Sequence, residues 1–171
     1  MTVLAPTCKA ELASAVEYAL KLSSPVWIRY SKNGSGDLPT VEFTDNRWQT
    51  LKDGSDITVF TVGSAAAKLA LEFAENYGKS VKVVSARVIK PLDTETLANT
   101  RTPVITIEEN VVSGGFGEKV VAFLAEKNPR PAFILGAKNE FIKHGSVEEQ
   151  LKSCGFTVEN LTHIADGLLK R

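Results

Sequence analysis

Residues 102–124 read TPVITIEENVVSGGFGEKVVAFL: a strand, an acidic turn, a glycine-rich bend and a helix. Thr102 to Ile107 is apolar and β-branched, which suits a buried strand. Glu108, Glu109 and Asn110 should end it. Ser113 is a candidate helix cap, and Gly114, Gly115 and Gly117 let backbone come close at the helix start. Phe116, Val120, Phe123 and Leu124 then share one helical face. In open α/β sheets, ligand crevices lie where strands end and helices begin, so this turn is the first place to look for a site.

Outward from it, the same alternation continues. Ile57 to Val62 is an apolar strand, and Gly63-Ser64 opens a helix with Ser64 as candidate cap. Val81 to Val84 is a strand, followed by Ala86 to Leu92 as a loop containing Pro91. Asp93 caps a short helix, Ala132 to Leu135 is a strand, Ser146 caps a helix to about Lys152, and Thr157 caps a last helix to Leu169. Strands alternating with helices of this length imply an α/β fold, a three-layer, mostly parallel sheet with helices on both faces. Ahead of it, Thr2 to Leu4, a helix near Lys9 to Leu22 capped by Thr7, and Val26 to Tyr30 form only a strand-helix-strand remnant. That remnant is too small to close its own core and reads as the tail of something larger. Ser31 to Thr40, SKNGSGDLPT, has linker composition. The expected division is 1–33 for the remnant, 34–47 for the linker and 48–171 for the main domain.

Bulk properties narrow the function classes. Of 171 residues, 43% are apolar and 23% charged, as in soluble globular proteins. Lysine plus arginine equals aspartate plus glutamate, 20 each, so neither nucleic acid nor an anionic membrane is an expected partner. No apolar run approaches the ~20 residues of a membrane span, and the first residues lack the basic stretch and apolar core of a signal peptide. Cys8 and Cys154 match no metal spacing, nor do His144 and His163. The expected compartment is the cytoplasm.

Four features could carry chemistry. The glycines at 114, 115 and 117 could hold an anion on free amides, but Glu108 and Glu109 just upstream would repel it, which favours packing glycines. Those two glutamates could be an acid/base pair. Neighbours on a strand point to opposite faces, so a solvated or turn-bonding role is preferred. His144 reads as a surface or capping residue. Arg29 and Lys32 lie at and beyond a strand's carboxyl end, where two cations suit phosphate or carboxylate capture; two solvated charges fit the spacing equally well.

The stretches MTVLAP (1–6), PVWIRY (25–30), DITVFTVGS (56–64), VVSARVIKPLD (83–93), ITIEENVVSGGFGEKV (105–120) and FIKHGSVEEQL (141–151) together resemble the 1-deoxy-D-xylulose-5-phosphate synthase family. The likeness covers the end of that enzyme's pyrimidine-binding domain and its transketolase-type C-terminal domain. It implies a chain that is part of a thiamine-diphosphate- and Mg2+-dependent transferase, which joins pyruvate to glyceraldehyde 3-phosphate for isoprenoid precursors. It further implies a homodimer, and a cofactor held by domains not represented here, so that this chain alone binds no cofactor and has no catalytic residue of its own. The family's R-Y-P-R-G run corresponds to Arg29-Tyr30-Ser31-Lys32-Asn33. Lys32 takes the place of the arginine that contacts the sugar phosphate, keeping the charge and losing the bidentate fork. Lys32, with Arg29, is therefore the expected phosphate contact. A free-standing interaction domain, or the small subunit of a split transketolase, is the alternative.

Overall fold

The structure is a computed structural model describing residues 1–31, 38–39 and 41–170. Lys32, and residues 34–37 and 40 of the expected linker, lie outside the described residues.

Five strands build the main sheet: β3 (Gln49–Lys52), β4 (Ile57–Val62), β5 (Val81–Ser85), β7 (Val104–Val111) and β8 (Ala132–Ala137), in the order β3-β5-β4-β7-β8. All pair in parallel except the edge strand β3. Every residue of β4 is buried, as a central parallel strand requires. The period of two divides them. Ile57 and Val59 face a core shared with helices α2 (Ser64–Asn76) and α6 (Val158–Leu169). Phe60 and Val62 face a second core with α4 (Phe116–Lys127) and with Leu97 of α3 (Thr94–Asn99). The expected α/β architecture, a mostly parallel sheet covered on both faces, is the one observed.

The remnant is not a separate body. β1 (Thr2–Leu4) pairs in parallel with β2 (Val26–Ile28) on one side and antiparallel with β6 (Val88–Lys90) on the other. Val88 to Lys90, expected to be loop, is thus a strand of the small sheet. Its partner lies more than eighty residues away, so no local pattern marks it. Leu4 and Ala15, the latter on α1 (Lys9–Leu20), share one core with Phe60 and Val62. Trp48 anchors the connection. Its Nε1 donates to the Val88 carbonyl at 2.7 Å, and its ring lies 5.1 Å from Phe60 and 5.4 Å from Phe116, centroid to centroid.

Helix starts differ from expectation in an instructive way. Asp93, Ser146 and Thr157 cap their helices by side chain, as read; Ser146 does so in a capping box with Glu149, at the start of α5 (Val147–Ser153). Thr7, Ser64 and Ser113 do not: the caps are Cys8, Gly63 and Gly115, none with a side-chain bond of its own. At α2 and α4 a glutamate of β7 serves the first amides, and at α1 Glu11 of the helix itself accepts from the Thr7 amide.

Candidate functional site

The acidic turn does not end its strand. β7 continues through Glu108, Glu109 and Asn110 to Val111, with a register shift against β8 between Ile107 and Val111. Because the strand persists, its two carboxylates point to opposite faces, and each meets the helix on its own side. Glu108 is 1% exposed; its Oε2 accepts from the Phe116 amide at 2.9 Å and its Oε1 from the Gly117 amide at 2.8 Å. Glu109 Oε1 accepts from the amides of Ala65 at 2.7 Å and Ala66 at 3.2 Å, at the start of α2. Gly63 holds φ +94°, and a Cβ there would stand 2.5 Å from Glu109 Oε1, so only glycine fits the approach.

Two helix N-termini at the carboxyl edge of the sheet are therefore occupied by the protein's own anions. Gly117 packs closely, since a Cβ there would stand 2.5 Å from Thr106 Oγ1, whereas Gly114 has open space at its Cβ position and holds φ +73°. Burial pushes the Glu108 carboxyl above its ordinary value; the two amides and the charge of Arg29 pull it back part of the way, while Glu118 pushes it up further. A thiamine diphosphate would need free amides or cations for its phosphates and a side-chain cage for Mg2+. The amides here are filled, and no group of three or more metal-holding side chains exists among the described residues. These two helix starts therefore do not fit the phosphates of that cofactor.

Arg29 stands at the same edge. Its backbone amide donates to the Leu4 carbonyl at 2.9 Å, and its Nη2 donates to the Glu109 carbonyl at 3.3 Å. The strand end expected to carry cations is thus placed beside the acidic turn, although the two lie eighty residues apart. His144 is exposed. It lines a cavity of about 420 Å3 that Cys154, Lys138 and Lys143 also line.

Sequence reading missed Glu11 and Arg87. Both are buried, at 1% and 3% exposure. Glu11 Oε2 accepts from the Thr7 amide and hydroxyl, each at 2.6 Å, and its Oε1 lies 3.4 Å from Arg87 Nη1. Arg87 also donates to the carbonyls of Val41 at 2.8 Å, Glu42 at 3.3 Å and Arg47 at 3.1 Å, and it stacks 4.4 Å from the Phe43 ring centroid. A signal was present: a charge inside an apolar run, as in Ala86-Arg87-Val88, needs a buried partner.

Residues 46–161 match the family described as transketolase, C-terminal domain. The chain belongs to the transketolase C-terminal domain family. Its curated relatives include the 1-deoxy-D-xylulose-5-phosphate synthases of Clostridium acetobutylicum and Geobacillus thermodenitrificans. The first is 33% identical over 171 residues, covering 94% of this chain and 28% of the synthase. The second is 40% identical over 154 residues, covering 83% and 24%. The transketolase C-terminal family member thus spans about a quarter of the length of these relatives. Among solved structures, a split gene transketolase, described as an inactive beta4 tetramer, superposes with a TM-score of 0.90 at 29% identity, covering 99% of this chain and 58% of that one. Transketolase from Leishmania mexicana superposes at 0.77 with 21% identity, a likeness of fold, covering 99% of this chain and 25% of that one. No helix among the described residues is long and apolar enough to cross a membrane.

Proposed function

We propose that this chain is the C-terminal part of a thiamine-diphosphate-dependent 1-deoxy-D-xylulose-5-phosphate synthase. The observation that carries the reading is the extent of the likeness: nearly the whole chain aligns with such synthases, yet spans only a quarter of them. In this reading residues 1–33 finish the pyrimidine-binding domain, 34–47 link, and 48–171 are the C-terminal domain. Its tasks are packing, homodimer formation in the cytoplasm and supply of the cationic strand end, Arg29 and Lys32, to the phosphate of the acceptor. The cofactor and Mg2+ belong to the other domains, which also supply the reacting groups.

Surface chemistry supports a missing neighbour. Among the described residues β2 pairs only with β1, and its Trp27 is 63% exposed. Leu20 on α1 is 82% exposed, and Tyr30, just past β2, is 67% exposed. An open edge beside large apolar side chains suits further strands and helices of the same domain. The isolated chain is therefore expected to give no heat with thiamine diphosphate and Mg2+ in calorimetry; saturable tight binding would sink the assignment.

Lys32 gives a second test. In the complete enzyme Lys32→Ala should raise KM for the phosphorylated acceptor by about tenfold and leave KM for pyruvate alone, the loss of one charge-assisted contact. An unchanged KM would reduce Lys32 to a surface charge.

The small subunit of a split transketolase is the second reading. It is favoured by the TM-score of 0.90 to the split gene protein, although this chain covers only 58% of that subunit. Co-purification from its natural source with a separate chain that carries the diphosphate-binding domain would favour it.

A further inference from the structure

One face of the main sheet is not apolar throughout. Residues two apart on a strand share a face, so Thr58 of β4 accompanies Phe60, and Lys82 of β5 accompanies Val84. The register sets Thr58 beside Lys82, Phe60 beside Val84, and Thr50 of β3 beside Val84 on its other side. All five line a cleft of about 410 Å3, together with Ser55, Thr96 and residues 99–102. Small-molecule sites have volumes of about 300–1,000 Å3. The polar lining offers more donors than the protein uses. Among the described residues, the Thr50 and Ser55 hydroxyls and the Asn99 side-chain amide have no hydrogen-bond partner. The Thr58 and Thr102 hydroxyls, 2.7 Å apart, share one hydrogen bond, which leaves the second proton free. Arg101 spends Nη1 on the Ala98 and Thr100 carbonyls, so its Nε and Nη2 have no acceptor among the described residues. Lys82 has only the 92% exposed Asp53 opposite it, at 4.0 Å. Among the described residues Glu95 is the one acid in the lining, and Arg47 pairs with it.

We propose that this cleft binds a small phosphorylated polyol. Lys82 and Arg101 take the phosphate through charge-assisted hydrogen bonds. Thr50, Ser55 and Asn99 meet the hydroxyls, and Phe60 and Val84 give apolar surface to the carbon chain. An exposed ion pair as long as that of Lys82 with Asp53 is worth little, so a phosphate displaces Asp53 readily. A neutral polyol would leave both cations without an anion, and a bare phosphate would leave the hydroxyls unused. The ligand that satisfies the lining carries both groups. Thr58 and Lys82 are the second residues of their strands, and Thr102 precedes β7, so the cleft lies toward the amino-terminal ends of the parallel strands. The Arg29 side chain reaches the carboxyl end of β7 instead. The inference therefore stands apart from the acceptor-phosphate reading of Arg29 and Lys32.

The test is a nuclear magnetic resonance titration of the 171-residue chain with glycerol 3-phosphate, inorganic phosphate and glycerol in turn. Glycerol 3-phosphate should shift the amides of Thr50, Ser55, Lys82 and residues 99–102 saturably, with a Kd of about 1 mM, as two charge-assisted contacts support. Inorganic phosphate should bind the same residues roughly fivefold more weakly, and glycerol not at all. Lys82→Gln and Arg101→Gln, at half-buried and exposed positions, should each weaken glycerol 3-phosphate by roughly tenfold. Thr50→Val, which suits an exposed strand residue, should reduce the preference over inorganic phosphate and leave phosphate itself unchanged. Absence of saturable shifts at these amides overturns the proposal, as does binding that survives both charge substitutions. Equal affinity for glycerol 3-phosphate and inorganic phosphate overturns the polyol assignment. Lys32→Ala should leave the titration unchanged, so shifts confined to residues 29–33 would support the strand-end reading and sink this one.

Discussion

Arg87→Ala is expected to destabilise the chain by about 3–5 kcal/mol, the cost of leaving a buried charge without its partner. The substitution strands Glu11, which is 1% exposed, on the wrong side of an apolar core. It also removes the donor that holds the carbonyls of Val41, Glu42 and Arg47, and the cation above Phe43. These contacts join the remnant, the segment leading to Trp48 and the main domain, so the loss should be cooperative. Arg87→Lys keeps the charge but cannot serve several acceptors at once, and should fall between the two. Denaturant unfolding at neutral pH measures each. A double variant, Glu11→Gln with Arg87→Met, separates pairing from burial: it should recover part of the loss, since replacing both members of a buried pair costs less than removing one. A loss below about 1 kcal/mol for Arg87→Ala, the range of exposed pairs, would contradict the burial of the pair.

Gly117→Ala is expected to cost about 2–3 kcal/mol, against what helix propensity alone implies. Gly117 is in the first turn of α4 and its φ is not in the left-handed region, so alanine would favour the helix by roughly 0.5–1 kcal/mol. Packing outweighs that. A Cβ would stand 2.5 Å from Thr106 Oγ1 and 3.2 Å from Glu108 Oε1, and closer still to a methyl of Ile134. Thr106 and Ile134 are strand residues that cannot yield without moving the sheet, so α4 must lift; overpacking of this kind costs about 1–3 kcal/mol or more. Lifting α4 also breaks the amide bonds to Glu108. Gly78→Ala is the control, since nothing lies within 4 Å of its Cβ position. A Gly117→Ala variant as stable as the parent in a thermal melt would refute the packing role of this glycine.

Much of the fold was legible in the sequence. The alternation of apolar strands with amphipathic helices set the α/β class, and short-range chemistry set several boundaries. Ser146 with Glu149, and Asp93 with Thr96, are bonds three residues long, so the residues that make them are visible together. The motifs around Glu108 and Gly117 carried the family resemblance, and residues 46–161 match that family. The failures share a cause. Ser64 and Ser113 were reasonable caps by local rules, but Glu109 and Glu108 outcompete them. Glu109 arrives from a strand 43 to 44 residues away from its amides, and Glu108 from 8 to 9 residues before its own.

The candidate site was legible in part. That neighbouring carboxylates must face opposite ways follows from strand geometry, and it proved the key to their roles. That each would find a helix N-terminus does not follow, because it depends on where α2 and α4 dock.

By itself, then, the sequence determined the succession of elements, the class of fold and the family, since these depend on periodicity and on bonds a few residues long. Only the tertiary structure decided which charge meets which. Glu11 pairs with Arg87 across 76 residues, Arg29 meets Glu109 across 80, and Val88 to Lys90 becomes a strand by pairing with β1. The physical reason is that a buried charge or an unpaired strand edge has no local solution. Its partner is whichever group the packing of the core brings within reach.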